Sequence, residues 1–250
     1  MHGNTLPVLD STEQDETPGA VNESSRPEEI VDWALRRFAG RELVVTTSFG
    51  MEGCALLDMV ASHTRPVRVI WVDTMFLFAE TYALRDRMAA RYPHLRFERH
   101  STTLTPEAQA QRFGPELWRR DPSRCCALRK VEPMKAALAG VDVWLTGITR
   151  SQSRQRAAIR VVEWDWSFNL LKVSPLAAWD RKRVWDYVRT HDVPYNELHE
   201  RGYPTLGCTH CTAAVPGSGP AQYTRIGRWS GSDKSECGLH LDTSSHLVGK

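Results

Sequence analysis

Three short apolar runs, each stopping on small or polar residues, constrain the fold of this chain more than any other feature. Leu43-Val44-Val45-Thr46-Thr47 ends in Ser48-Phe49-Gly50, Val67–Val72 ends in Asp73-Thr74, and Val141–Thr146 ends at Gly147. Residues with helical spacing lie around them. Ile30, Trp33, Ala34 and Phe38 predict a helix over 28–38, and further helices are expected over 54–60, 79–90 and 127–139. Leu95-Arg96-Phe97 reads as another strand. Strands alternating with helices predict an α/β domain, a mostly parallel sheet with helices on both faces. Ligands of such sheets sit beyond the carboxyl ends of the strands. Here those ends are Ser48-Phe49-Gly50, Asp73-Thr74 and Gly147 to Arg150.

The 250 residues suffice for one large domain. Residues 1–25 are acidic and poor in apolar side chains, which predicts a disordered tail. An α/β domain is expected over 26–228 and a mobile C-terminal segment over 229–250. A net charge of +2 gives no footprint for nucleic acid. Arginines become frequent from Arg112 onward, which suits an anionic small molecule and equally a solvated surface. No apolar run approaches the ~20 residues of a membrane span, and no secretory signal is evident. A cytoplasmic chain with reduced cysteines is expected, its six cysteines serving metal binding or catalysis.

Cys125-Cys126 is an adjacent pair, and Cys208-Thr209-His210-Cys211 is a CxxC in a glycine-rich stretch. Four thiolates can close a zinc site or hold a 4Fe–4S cluster. Adjacent cysteines are strained as joint ligands of one ion and suit a cluster better, with zinc the alternative. Small core cysteines are the plainer reading of the pair. Cys54 sits among Ala55, Leu56 and Leu57 and is expected in the core. Cys237, in Glu236-Cys237-Gly238-Leu239-His240, reads either as an exposed thiol or as a nucleophile on a mobile arm. In the second reading Gly238 is a pivot, and His240 or arginines lower the thiol pKa.

Cys125-Cys126-Ala127-Leu128-Arg129-Lys130-Val131-Glu132-Pro133, Gly207-Cys208-Thr209-His210-Cys211-Thr212 and Glu236-Cys237-Gly238-Leu239-His240 together resemble the bacterial assimilatory adenylyl-sulfate reductases. These belong with the phosphoadenylyl-sulfate reductases. The resemblance runs from about Val44 to His240 and takes in Thr146–Arg156 and Arg225-Ile226-Gly227-Arg228-Trp229. It implies the adenine nucleotide α-hydrolase-like fold and thioredoxin-dependent reduction of adenylyl sulfate to sulfite and AMP, in sulfate assimilation and cysteine biosynthesis. Cys237 would be the nucleophile and form an S-sulfocysteine, with His240 near the thiol or the phosphate. Cys125, Cys126, Cys208 and Cys211 would hold the 4Fe–4S cluster. Lys130, Arg150, Arg225 and Arg228 match the anion-contacting positions, and Ser48, Phe49 and Gly50 the nucleotide loop, with Asp73 and Thr74 in the next loop.

Thioredoxin or glutaredoxin is the implied reductant, no nucleic acid or membrane is involved, and a homo-oligomer is compatible with the resemblance. The first loop lacks SGGxDS, which argues against ATP pyrophosphatase chemistry. One departure is Met75, where the family usually has glycine; the loop is expected to bend differently there or to displace the adenosine. All four paired cysteines are present, which favours adenylyl sulfate over the 3′-phosphorylated nucleotide. A reductase of the phosphorylated form, or of both, is the alternative, with Arg154 or Arg156 available for a 3′-phosphate. A four-cysteine zinc module binding nucleic acid is the rival from another class.

Overall fold

Strand β1 (Leu43–Thr46) is buried along its whole length, because both faces of the sheet at that point are covered. It lies at the middle of a six-stranded sheet of order β3-β2-β1-β4-β6-β5. The other strands are β2 (Arg68–Val72), β3 (Arg96–His100), β4 (Val143–Thr146), β5 (Val162–Asp165) and β6 (Leu170–Val173). All pairings are parallel except β5 on β6. Fully apolar, fully buried runs therefore sit at the centre, and the edge strand β3, Arg-Phe-Glu-Arg-His, carries the charges that blunt a sheet edge. The structure, a computed structural model, describes residues 21–220, 227–229, 231 and 234–240. Most of the expected acidic tail, Arg225 and residues 241–250 lie outside the described residues. Within the expected tail, Val21 is buried in the core, so the domain takes in a few residues before 26.

The helices are α1 (Pro27–Arg37), α2 (Met51–Ala61), α3 (Ala79–Arg91), α4 (Pro106–Phe113), α5 (Leu117–Arg120), α6 (Pro122–Cys126), α7 (Glu132–Leu138) and α8 (Arg181–Thr190). In α1, Pro27 opens the helix, Glu28 and Glu29 lie in the first turn, and Arg36 and Arg37 lie in the last, as the helix dipole favours. Elements read from periodicity appear within a few residues of their expected bounds. The exception is the helix expected over 127–139. It starts at Pro122, capped by Asp121 accepting from the Arg124 N–H at 2.9 Å, and passes through a π-helical turn over Ala127–Val131 before α7. Pro133 explains the interruption, since it has no N–H to return to the Arg129 carbonyl.

Sequence periodicity does not mark α4, α5, β5, β6 or α8. β6 is short, and its Lys172 is buried only because Glu163 at 2.7 Å and Asp165 at 3.2 Å neutralise it. α8 is mostly charged, with Val184 and Val188 as its buried contacts and Asp180 as its cap.

The chain runs outward from β1 through β2 to β3, then returns to β4 on the other side of β1. That reversal opens a crevice at the carboxyl ends of β1 and β4. Gly147 lets the crevice close tightly at its base. A Cβ there would lie 2.9 Å from the Glu52 carbonyl oxygen, in the first turn of α2.

Candidate active site

The crevice widens into a cavity floored by the loop from Thr46 to Gly53. Phe49 takes a left-handed conformation, φ 55°, and turns its ring into the core against Trp71 and Phe97. Such a φ in a bulky residue is strained. Burial of the ring and a hydrogen bond from the Phe49 N–H to Thr47 Oγ1 at 2.9 Å hold it. Ser48, Phe49 and Gly50 all line the cavity, beside the N-terminus of α2.

The β2 loop divides its two expected residues. Thr74 lines the cavity, and its Oγ1 lies 3.2 Å from Cys208 Sγ. Asp73 does not line it. Its carboxylate accepts from the Met75 N–H and the Tyr82 hydroxyl, both at 2.7 Å, and pairs with Arg99. Asp73 thus shapes the loop from behind. Met75 itself stands at φ 59°, so the chain keeps a glycine-type bend without glycine.

Two distant segments bring the four paired cysteines together. Cys125 and Cys126 end α6, while Cys208 and Cys211 flank a short 3₁₀ turn pinned by the Thr209 N–H on the Phe76 carbonyl at 2.8 Å. Burial, and then the charges of Cys126, Cys208 and Cys211, push the Cys125 thiol up to about 12. Burial, followed by Cys208 and Cys126, pushes Cys211 to about 11. Among the described residues, no three His, Cys, Asp or Glu side chains gather tightly enough to hold a metal ion as they stand. Cys54 is buried in the core, as expected.

Lys130 lies in the π turn and lines the cavity together with Cys237. Burial opposes its charge; Cys237, Cys208 and Cys126 outweigh burial and hold the ammonium above its ordinary value. Arg228 also lines the cavity, donating to the Cys211 carbonyl at 3.1 Å and the Leu206 carbonyl at 3.2 Å. It lies so close over Gly207 that a side chain there would collide with its guanidinium.

Arg150 is placed elsewhere. It donates to the Ile159 carbonyl at 2.8 Å, pairs with Glu23, and is absent from the cavity wall. The wall instead holds Arg156, buried and paired with Glu236, and Arg181, buried against Glu52 at 2.7 Å. Arg181 lies on α8, which periodicity does not mark, and Arg156 stands in a 3₁₀ turn, where spacing suggests only a contact to a 3′-phosphate.

The terminal arm is seated in the cavity. Cys237, Leu239 and His240 all line it, and the His240 ring stacks on Trp144 at 5.2 Å. Gly238 has φ +95°, the bend that its lack of a Cβ permits. Burial raises the Cys237 pKa; Lys130, the Leu239 N–H and Arg156 outweigh it and hold the thiol below its ordinary value. Burial, then Arg156, Lys172 and Lys130, keep His240 well below the usual imidazole range. The site therefore offers an acidified thiol and a cationic wall at the switch point of a parallel sheet.

The model of the phosphoadenosine phosphosulfate reductase domain matches residues 42–214. The chain belongs to that family. Similar curated relatives are the adenosine 5′-phosphosulfate reductases of Geobacillus thermodenitrificans and Staphylococcus saprophyticus. The first is 44% identical over 220 residues, covering 88% of this chain and 92% of the relative. The second is 40% identical over 225 residues, covering 90% and 91%. A crystal structure of phosphoadenylyl-sulfate reductase from Candida auris, in a phosphate complex, superposes with a TM-score of 0.70 at 32% identity, over 84% of this chain and 100% of that one. The FMN adenylyltransferase of Candida glabrata, at 14% identity and a TM-score of 0.57, shares the fold alone.

Membership in this reductase family removes the rival reading of a zinc module for nucleic acid. Among the described residues, no helix is long and apolar enough to cross a membrane.

Proposed function

We propose that this member of the family reduces adenylyl sulfate to sulfite and AMP in the cytoplasm, as a step of sulfate assimilation toward cysteine. The observation that carries the reading is Cys237 in the same cavity wall as Lys130 and Arg228. The Cys237 thiolate attacks the sulfur of adenylyl sulfate. The bond from that sulfur to the phosphate oxygen breaks, and AMP leaves with its electron pair. S-sulfocysteine remains on Cys237. The cations offset the negative charge of the reacting anion, which would otherwise repel a thiolate.

Thioredoxin, as the dithiol reductant, attacks Cys237 Sγ and expels sulfite. Its second thiol then resolves the mixed disulfide and frees Cys237. Two electrons pass from the dithiol to the sulfonucleotide sulfur in total. The bound arm must leave the cavity for that second step.

The four paired cysteines fit a 4Fe–4S cluster better than a single zinc. Adjacent Cys125 and Cys126 would be strained as joint ligands of one zinc ion, whose sulfurs lie about 2.3 Å from the metal. A cluster spreads its ligands over several irons. Its contribution when bound is electrostatic and structural. Lys130, four residues after Cys126, lines the cavity and would present its ammonium to the reacting anion.

Adenylyl sulfate is favoured over its 3′-phosphorylated form because Arg154 does not line the cavity and Arg156 is already paired with Glu236. The test is intact-protein mass spectrometry after incubation with each nucleotide without reductant. A gain of one SO₃ on Cys237 from adenylyl sulfate, removed by thioredoxin, is expected. No adduct from protein carrying its cluster would overturn the mechanism.

A further inference from the structure

Glu236 immediately precedes the nucleophile and is the most firmly held residue of the arm. Its carboxylate accepts from Arg156 Nη2 at 2.9 Å and from Ser153 Oγ at 2.7 Å. The paired side chains are only 9% and 5% exposed, so the pair is shielded from water and salt. Arg156 is fixed in turn by Gln152, whose amide oxygen also accepts from the Thr149 N–H. The neighbouring contacts of the arm, Gln155 to Ser235 and Lys234 to Ser123, are exposed hydrogen bonds, the kind that contributes little.

We propose that Glu236 is the positioning residue that seats Cys237 over the cavity, by docking its carboxylate between Arg156 and Ser153. This rests on the reading of Cys237 as nucleophile. Beyond the thiol, Leu239 packs beside Trp144 and His240 stacks on it, while Gly238 at φ +95° sets the bend between them and Cys237. A charged pair on the adjacent residue holds the thiol within the narrow range of positions that attack requires. The same pair must open when the arm carries its adduct out to the reductant. Ser48, Phe49, Gly50 and Thr74, the cavity residues of the β-strand loops, belong to segments apart from the arm.

Two variants separate this role from simple folding. Glu236→Gln keeps size and hydrogen bonding but removes the charge. It should lower kcat at least tenfold with KM within about twofold, and Glu236→Asp should recover part of the loss. Ser153→Ala leaves the arm sequence intact. Trypsin should cut the full-length, cluster-loaded variant after Lys234 several-fold faster than the parent protein. Unchanged kcat in Glu236→Gln, a rise in KM in place of the fall in kcat, or cutting of Ser153→Ala at the parent rate would each overturn the proposal. Turnover by Cys237→Ser would overturn the reading of the nucleophile as well. An inactive Cys237→Ser beside an unaffected Ser153→Ala would overturn the seating role alone.

Discussion

Met75 shows how one residue is accommodated against its own preference. Its φ of 59° is held by an N–H bond to the Asp73 carboxylate, which Tyr82 and Arg99 fix from the other side. Left-handed backbone costs an L-residue roughly 1–2 kcal/mol, while glycine costs about 0.4–1 kcal/mol through the unfolded chain. Met75→Gly should therefore stabilise by up to about 1 kcal/mol, a rise of roughly 2–4 °C in Tm for a domain of this size. A thermal melt checks it, and a lower Tm would mean that the half-buried Met75 side chain contributes more than its backbone costs.

Elements meet the site through close backbone approach, and the proposed cluster would join two more of them. At Gly147 the end of β4 rests on the first turn of α2, with only 2.9 Å available to a Cβ. Backbone atoms cannot rotate away as a side chain would. Gly147→Ala should cost on the order of 1–3 kcal/mol and weaken nucleotide binding by widening the crevice, measurable by urea melts and equilibrium titration with AMP. Unchanged affinity would place the nucleotide away from this junction. The two cysteine segments are likewise joined across the fold. Cys208→Ser removes a thiol that touches Thr74 and should lose most bound iron and the brown colour, read by iron analysis. Full iron with full activity would remove Cys208 from the ligand set.

At the scale of the whole molecule, buried histidine links stability to pH. Burial, and then Arg181, lower His199 from 6.5 to about 4, against weaker support from the Tyr203 carbonyl and Glu52. A lowered pKa means that the unfolded chain takes the proton first. Stability is full above about pH 6.5 and declines as pH falls toward 4, at about 1.4 kcal/mol per pH unit. His240 adds in the same sense. Glu52, held low by Arg181 despite burial, loses its contribution only below the ordinary carboxylate value. Urea melts at pH 7, 5.5 and 4.5 should show the decline, with a shallower slope in His199→Gln. Equal slopes would assign the dependence to other groups.

The sheet and most of its helices were legible along the chain because their causes are local. Apolar runs of strand length have to be buried, whereas the spacing of the cysteines left their roles open between core, metal binding and catalysis. The choice among arginines was not local. Arg150, Arg154 and Arg156 lie in consecutive 3₁₀ turns without a burial period. Glu23 from the start of the domain claims the first, and Glu236 from its end claims the third. The same holds for Asp73, whose partners come from β3 and α3. Residue types and their spacing thus determined the fold class, while only the resemblance to a known family pointed to Cys237 as the reacting thiol. Tertiary structure alone decided which charges face the cavity, because ion pairing between distant segments sets where each side chain comes to rest.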